Sequence, residues 1–421
     1  MKIKVRHMAY KDVMALPRAK HRQPKRPNIL FRSLVRLLSQ IDLWQTSFTY
    51  TKDEGCDKDG PYLILMNHSS FIDLKLVSKV LYPKPYCIVA TTDSMVGKGW
   101  LMRQIGCIPT QKFVTDMSLI RDMKYALTKK KTNVLMFPEA GYSFDGRSTT
   151  LPKNLGGLVK LLGVPVLFVE TKGAFARDPL YNGLQNRKVK VSAHMSCIIT
   201  RDEVKMLTED ELNERIQNAF SFDNFAWQYE TGLRITEAFR ADGLERLLYK
   251  CPACRAEGRT KGQGIHLTCH ACGKVYELTE LGRMSATTGE TEYPHIPDWY
   301  AWERRCVREE LIDGTYAMET DVDIACMVDE KALYMVGEGH LTHGVDGFTL
   351  TGCNGELSYK QSPIASHSLN ADYFWYEIGD VIGIGDRNCL YYCFPKTDTP
   401  VAKVRLATEE LYQIKMQNTR R

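Results

Sequence analysis

Tyr62-Leu63-Ile64-Leu65-Met66-Asn67-His68-Ser69-Ser70-Phe71-Ile72-Asp73 is the stretch from which the rest of the chain can be read. Its five leading apolar residues make a short buried strand. A polar turn follows, carrying His68 and, five positions on, Asp73. Within one regular helix, five steps of about 100° put two side chains far apart around the axis. They meet only when His68 sits in the turn and Asp73 in the first turn of the next helix. The carboxylate then holds one ring nitrogen and leaves the other free as a base, the orienting logic of an Asp–His pair in acyl transfer. The same residues also read as an ordinary helix start, with Ser70 as cap and Asp73 favouring the positive end.

Strands and helices alternate on either side. Tyr86–Ala90, Asn133–Phe137 and Val164–Val169 are further strand candidates, with helical patterns up to Leu81, over Met117–Lys129 and over Leu155–Leu162. This alternation predicts an α/β layer fold with a mixed sheet flanked by helices. The strand ending at Phe137 runs into Pro138-Glu139-Ala140-Gly141-Tyr142-Ser143. Pro stops the strand, Gly141 is expected to permit a tight turn, and Glu139 is presented at a strand end, where open α/β sheets place ligands.

Asn67-His68 with Asp73, followed by Phe137-Pro138-Glu139, resembles the glycerolipid (1-acylglycerol-3-phosphate) acyltransferase family. Gly106-Cys-Ile-Pro-Thr-Gln-Lys112 is similar to that family's Gly-x-Ile motif, and Gly163-Val-Pro-Val166, preceded by Leu151–Gly156, to its late Val-Pro-Val stretch. The resemblance covers about residues 60–175. It implies that His68 is the general base and Asp73 its partner, that Lys112 meets acceptor phosphate, and that Asn67, Glu139, Gly141 and Ser143 shape the acceptor site. It implies acyl-CoA or acyl carrier protein as donor, a lysophospholipid or related alcohol as acceptor, and no cofactor for the transfer. Two cations of the pattern are altered. The usual Arg is Lys112, which keeps charge but loses bidentate geometry, and the Arg expected after Phe-Pro-Glu is Tyr142, leaving Arg147 and Lys153 as nearby substitutes. The Pro expected after Val-Pro-Val is Phe168. A phosphate-free hydroxyl acceptor and an inactive lipid-binding scaffold are therefore the competing readings.

The chain has 421 residues, 44% hydrophobic and 25% charged, an ordinary globular composition for two or three domains. No stretch approaches the roughly 18 apolar residues of a spanning helix, and the N-terminus lacks the apolar core of a signal peptide. Of the net charge of +6, residues 1–50 carry +9, eleven Lys and Arg against Asp12 and Asp42, so the remainder sums to −3. Leu30, Leu34, Leu37, Ile41 and Trp44 then recur on one helical face. A basic arm joined to such a helix suits an anionic membrane surface, whereas a helix packed on its own domain is the plainer reading. Nucleic acid is not expected, since aromatic and basic residues are hardly interleaved around the cysteines. The expected location is cytoplasmic, peripheral on the cytoplasmic membrane face.

Cys251-Pro-Ala-Cys254 and Cys269-His-Ala-Cys272-Gly273 pair as in a zinc ribbon, with a structural Zn²⁺ held by four thiolates. The other nine cysteines read as buried small residues, and His194, His340 and His343 as surface or packed. From Ala317 onward, short strands broken by Gly, Asn and Asp precede a helix over Ala407–Met416. The expected layout is a basic arm and amphipathic helix over 1–50, an acyltransferase domain over 51–245, a zinc ribbon over 246–285, and a β-rich, vaguely pleckstrin-homology-like domain capped by a helix over 286–421.

Overall fold

Strand Leu63–Met66 lies inside a seven-stranded sheet ordered Thr49–Lys52, Ser192–Ile199, Val166–Lys172, Leu63–Met66, Asn133–Met136, Tyr86–Thr91, Cys107–Thr110. The computed structural model describes residues 2–17, 21–56, 60–114 and 116–419. All neighbours run parallel except Val166–Lys172 with Ser192–Ile199. All four residues of the central strand are buried because helices cover both faces. Ile64 and Met66 meet Leu76, Val77 and Val80 of helix Asp73–Leu81. Leu63 and Leu65 meet Met123 and Leu127 of helix Met117–Thr128 and Val159 and Leu162 of helix Leu155–Leu162. The register Leu63↔Val134 and Leu65↔Met136 makes the two central strands end level. The loops that carry His68 and Glu139 therefore emerge side by side.

The cysteine-rich segment is a four-stranded antiparallel sheet, Met284–Ala286, Val275–Leu278, His266–Cys269 and Thr260–Gln263. Beyond it a second antiparallel sheet runs in the order Leu357–Gln361, Gly347–Gly352, Leu333–Gly344, Met318–Met327, Leu390–Pro395, Gly379–Gly385, Asn370–Trp375. Helix Val401–Thr419 closes it through Val404, Leu406, Ala407 and Leu411. Helix Ile296–Ile312, absent from the sequence expectation, lies beside that helix, and Arg304 bridges to Glu409 and Glu410 at 2.6 and 3.0 Å. Leu267 and Tyr276 of the cysteine-rich sheet share one core with Trp299, Ile324 and Leu411, so it is built into the C-terminal unit.

The N-terminal arm is not free. Strand Val5–His7 pairs parallel with Leu333–Met335, Tyr10 and Tyr391 hydroxyls meet at 3.0 Å, and Val13 is fully buried in the C-terminal core. The chain then crosses to the α/β unit, where His21 Nε2 meets Asp122 at 2.9 Å. Arg18 and Lys20 of the arm lie outside the described residues. Helix Ile29–Gln45 follows and is inverted relative to a packed amphipathic helix. Ser39 and Leu43 face the protein, while Leu30, Leu37, Ile41 and Trp44 are 75, 69, 63 and 72% exposed. Arg32 donates to the Pro83 carbonyl and Arg36 lies 4.2 Å over the Tyr82 ring, so these arginines rest on protein and the leucines face outward.

Candidate active site

His68 sits in the turn and Asp73 opens the helix Asp73–Leu81. His68 Nδ1–H donates to Asp73 Oδ2 at 3.0 Å, and the same oxygen accepts from Ser69 N–H and Ser70 N–H at 2.8 and 3.1 Å. Asp73 is fully buried, and its Oδ1 has no partner. A carboxylate offers only acceptors, so the proton of the ring lies on Nδ1 and Nε2 keeps its lone pair. The Ser70 cap does not form: Ile72 is the N-cap, without a side-chain bond, and Ser70 Oγ donates instead to Asp178. The short link through Phe71 and Ile72 turns Asp73 back under the histidine, which is why the helix starts there.

The imidazole is clamped between rings. Phe137 stacks on it with centroids 4.2 Å apart, and Tyr142 lies at 4.1 Å on a tilt of 36°. Glu139 fixes the backbone of the turn: Oε2 accepts from His68 N–H at 2.7 Å, while Oε1 accepts from Thr149 N–H and Ser148 Oγ at 2.8 and 3.0 Å. Burial pushes the Glu139 carboxyl up to about 7, against the pull of those donors. Ser143 N–H donates to the His68 carbonyl at 3.1 Å, and the Ser143 hydroxyl is spent inside its own loop, accepting from Gly146 N–H at 2.9 Å. Asn67 is spent in the sheet: its Oδ1 accepts from Thr171 N–H at 2.8 Å and its amide donates to Thr171 O at 3.2 Å, extending the pairing of the two strands. The residue of the turn that needs a left-handed backbone is Ala140, with φ 54°, and not Gly141, whose surroundings are open.

A cavity of about 1100 Å³ opens at His68. Phe71, Lys112, Phe137 and Tyr142 line it, with Ile88, Met102, Ile105 and Leu119 among its apolar walls. Arg147 is not there: it is committed to Asp223 at 2.7 Å and Asp298 at 3.2 Å. Lys153 donates to Gln413 at 2.8 Å and is also absent from the wall. Neither replaces the missing arginine. Sequence reasoning noticed Tyr142 only as a lost cation, although an aromatic residue so close after Phe137 was the signal for a ring packed on His68.

Cys251, Cys254, Cys269 and Cys272 bring their sulfurs within 4.8 Å of one another, outside this cavity. Cys251–Cys272 and Cys254–Cys269 sulfurs are 3.8 and 3.7 Å apart. A tetrahedron with metal–sulfur arms of about 2.3 Å has edges of about 3.8 Å, so the four thiolates fit a metal ion without rearrangement. Both knuckles turn through a left-handed residue just after their second cysteine, Gly273 at φ 74° and Arg255 at φ 63°. The remaining cysteines are buried except Cys197, which is partly so. His194 and His340 are partly exposed and pair with Asp53 and Asp321, and His343 is packed on Phe348.

Residues 47–170 match the Acyltransferase family model. The α/β unit carries an acyltransferase-type domain. The matched segment contains His68, Asp73, Lys112 and Glu139, and its strands belong to the mixed sheet described above. Among solved structures the chain is similar to the 1-acyl-sn-glycerophosphate (LPA) acyltransferase PlsC from Thermotoga maritima, at 17% identity over 45% of this chain and 76% of that one, with a TM-score of 0.38. No curated protein matches the chain.

In the folded protein, His68→Ala should lower turnover of a thioester donor by about 10²–10⁴-fold, the usual worth of a positioned base. Asp73→Asn should lower it less. Circular dichroism controls for folding, and near-normal turnover of folded His68→Ala would exclude the dyad from catalysis.

Proposed function

We propose that the protein moves a fatty acyl group from acyl-CoA or acyl carrier protein to the hydroxyl of a lysophospholipid-type acceptor at a membrane surface. The observation that carries this is the Asp73-oriented His68 at a cavity of about 1100 Å³ with apolar walls. His68 Nε2 takes the proton of the acceptor hydroxyl as its oxygen attacks the thioester carbonyl. Asp73 stabilises the imidazolium through Nδ1–H. The tetrahedral adduct collapses, the carbon–sulfur bond breaks, and the leaving thiolate recovers the proton from Nε2. Lys112 holds an anionic group of the acceptor, and Glu139 keeps the histidine in place. Tyr142, packed on His68 where the family carries a cation, favours as a second reading an acceptor whose recognition does not rest on a phosphomonoester.

The exposed leucine face supports a peripheral site on the cytoplasmic membrane face. Phe71 and Leu74, both 49% exposed, continue that apolar surface and line the cavity with Val35. No helix among the described residues is long and apolar enough to cross a membrane. For the C-terminal sheet, the pairing of its first strand with its last and the closing helix support a pleckstrin-homology-like barrel. For the cysteine cluster, the sulfur spacing supports a structural Zn²⁺ in a zinc ribbon.

Leu37→Glu combined with Ile41→Glu should reduce sedimentation with anionic phospholipid vesicles at least ~10-fold, since each change removes roughly 1.5–3 kcal/mol of apolar burial. Both side chains are exposed, so turnover on detergent-dispersed substrate should persist. Equal vesicle binding by this variant would place the anchor elsewhere. Deleting the whole arm is a poorer test, because it also removes the buried Val13.

Elemental analysis should find about one Zn²⁺ per chain. Cys272→Ser should abolish it and raise hydrogen exchange over 251–275 and in the C-terminal unit that shares its core, leaving the α/β sheet protected. Iron, or no metal, in the purified protein would contradict the assignment.

A further inference from the structure

Part of the cavity wall lies outside the acyltransferase domain. The C-terminal strand Asn370–Trp375 and the turn after it contribute Asp372, Phe374 and Tyr376. The backbone here is strained: Phe374, Tyr376 and Glu377 all take left-handed conformations, with φ of 52°, 48° and 65°, and the strand pairing slips between Asp372 and Trp375. Left-handed conformations in three non-glycine residues persist only where the surroundings hold them, and such strain gathers at ligand sites. Asp372 is poorly partnered. Its Oδ1 accepts from the N–H of the next residue, Tyr373, at 2.9 Å, and burial pushes the carboxyl up to about 6, with Lys112 pulling the other way. Lys112 lines the same cavity, and the two form no ion pair within 4.0 Å.

Tyr142 connects this wall to the chemistry. Its ring packs on His68, and the charged groups that act on it most strongly are three carboxyls, Asp73, Asp372 and Asp178. A phosphomonoester, with a charge of about −1.5 to −2, would meet that field with only Lys112 in support. A cation fits it, because aromatic faces beside a carboxylate are a standard receptor for an ammonium group.

We propose that the acceptor is zwitterionic, its anionic group on Lys112 and its amine held by Asp372 between the rings of Tyr142 and Tyr376, so that the C-terminal unit selects the acceptor for the acyltransferase domain. This rests on the role given to His68 above. Asp372 is a specificity residue and takes no part in proton transfer.

The test uses the full chain and three 1-acyl acceptors: the glycerol, the phosphomonoester and the phosphoethanolamine. Turnover is read with a long-chain acyl-CoA, and equilibrium binding with the 2-deoxy analogues, which needs no donor. The phosphoethanolamine compound should bind about 10- to 100-fold more tightly than the other two, as a charged hydrogen bond implies. Asp372→Asn, which keeps the bond from Tyr373 N–H, should erase that preference through KM with little change in kcat. It should leave the phosphomonoester within a few-fold or improve it. Tighter binding of the phosphomonoester, or an equal loss on all three acceptors, would overturn the proposal. His68-dependent turnover without amine preference defeats the acceptor assignment alone. Acceptor turnover indifferent to His68→Ala defeats the catalytic reading beneath it.

Discussion

The site depends on one buried carboxylate. Glu139 receives the backbone N–H of His68 on one oxygen and the rim of its own loop, Thr149 and Ser148, on the other. With the return bond from Ser143 N–H to the His68 carbonyl, both backbone groups of the histidine are fixed by a loop from the neighbouring strand. This holds the imidazole to the small tolerance that the proposed proton transfer would demand, in a turn with no regular structure of its own. The charge has a cost. With the folded pKa near 7 and the unfolded one near 4.5, ionisation of Glu139 opposes folding increasingly as pH rises between those values and fully above 7. The three donors are what keep that cost tolerable, and protonation does not sever the tie, since a protonated carboxyl still accepts.

The α/β unit and the C-terminal unit are held together by the segment that composition marked as a basic arm. It lends a strand to the C-terminal sheet, buries Val13 there, crosses over, and becomes the helix whose leucines point outward. A second tie is direct: Arg103 of the α/β unit pairs with Glu330 of the other. Since the cavity takes wall residues from both units, these ties set its shape as much as the sheet does.

The sequence made the α/β unit legible because its signals were local. The apolar run before Asn67, the Pro that stops the strand at Phe137 and the helical repeat over Leu155–Leu162 each report on adjacent residues. The strand Cys107–Thr110 was hidden inside a motif read only for chemistry, and the helix Ile296–Ile312 lay among strands, though its buried Trp299, Glu303, Cys306 and Val307 keep helical spacing. The dyad was legible for the same reason as the strands, because five residues and a turn decide it. The functions of Glu139 and Asn67 were not. They are settled by which backbone groups lie across the loop or sheet, His68 N–H and Thr171, and those are far away in sequence. Asp372 was invisible in principle, since nothing near it in the chain shows that it faces the cavity of another unit.

The cysteine-rich sheet lies outside the cavity but braces its wall through intervening residues. Immediately before its first knuckle, Arg246 accepts on its carbonyl from the Tyr373 hydroxyl at 2.7 Å, lies 4.1 Å over the Phe374 ring, and meets Asp380 at 3.3 Å. Leu244, Leu247 and Leu248 beside it are fully buried, and Thr260 of the first cysteine-sheet strand donates to Leu248 O at 2.8 Å. The strand that carries Asp372 and the strained turn after it are therefore braced by a segment whose own position is set by the small sheet. Such a sheet buries too little by itself to be rigid, which is the usual reason for a four-thiolate staple. A closed four-thiolate site would do no chemistry of its own; its link to the cavity wall is Arg246, just ahead of Cys251 in the chain, through Tyr373 and Phe374.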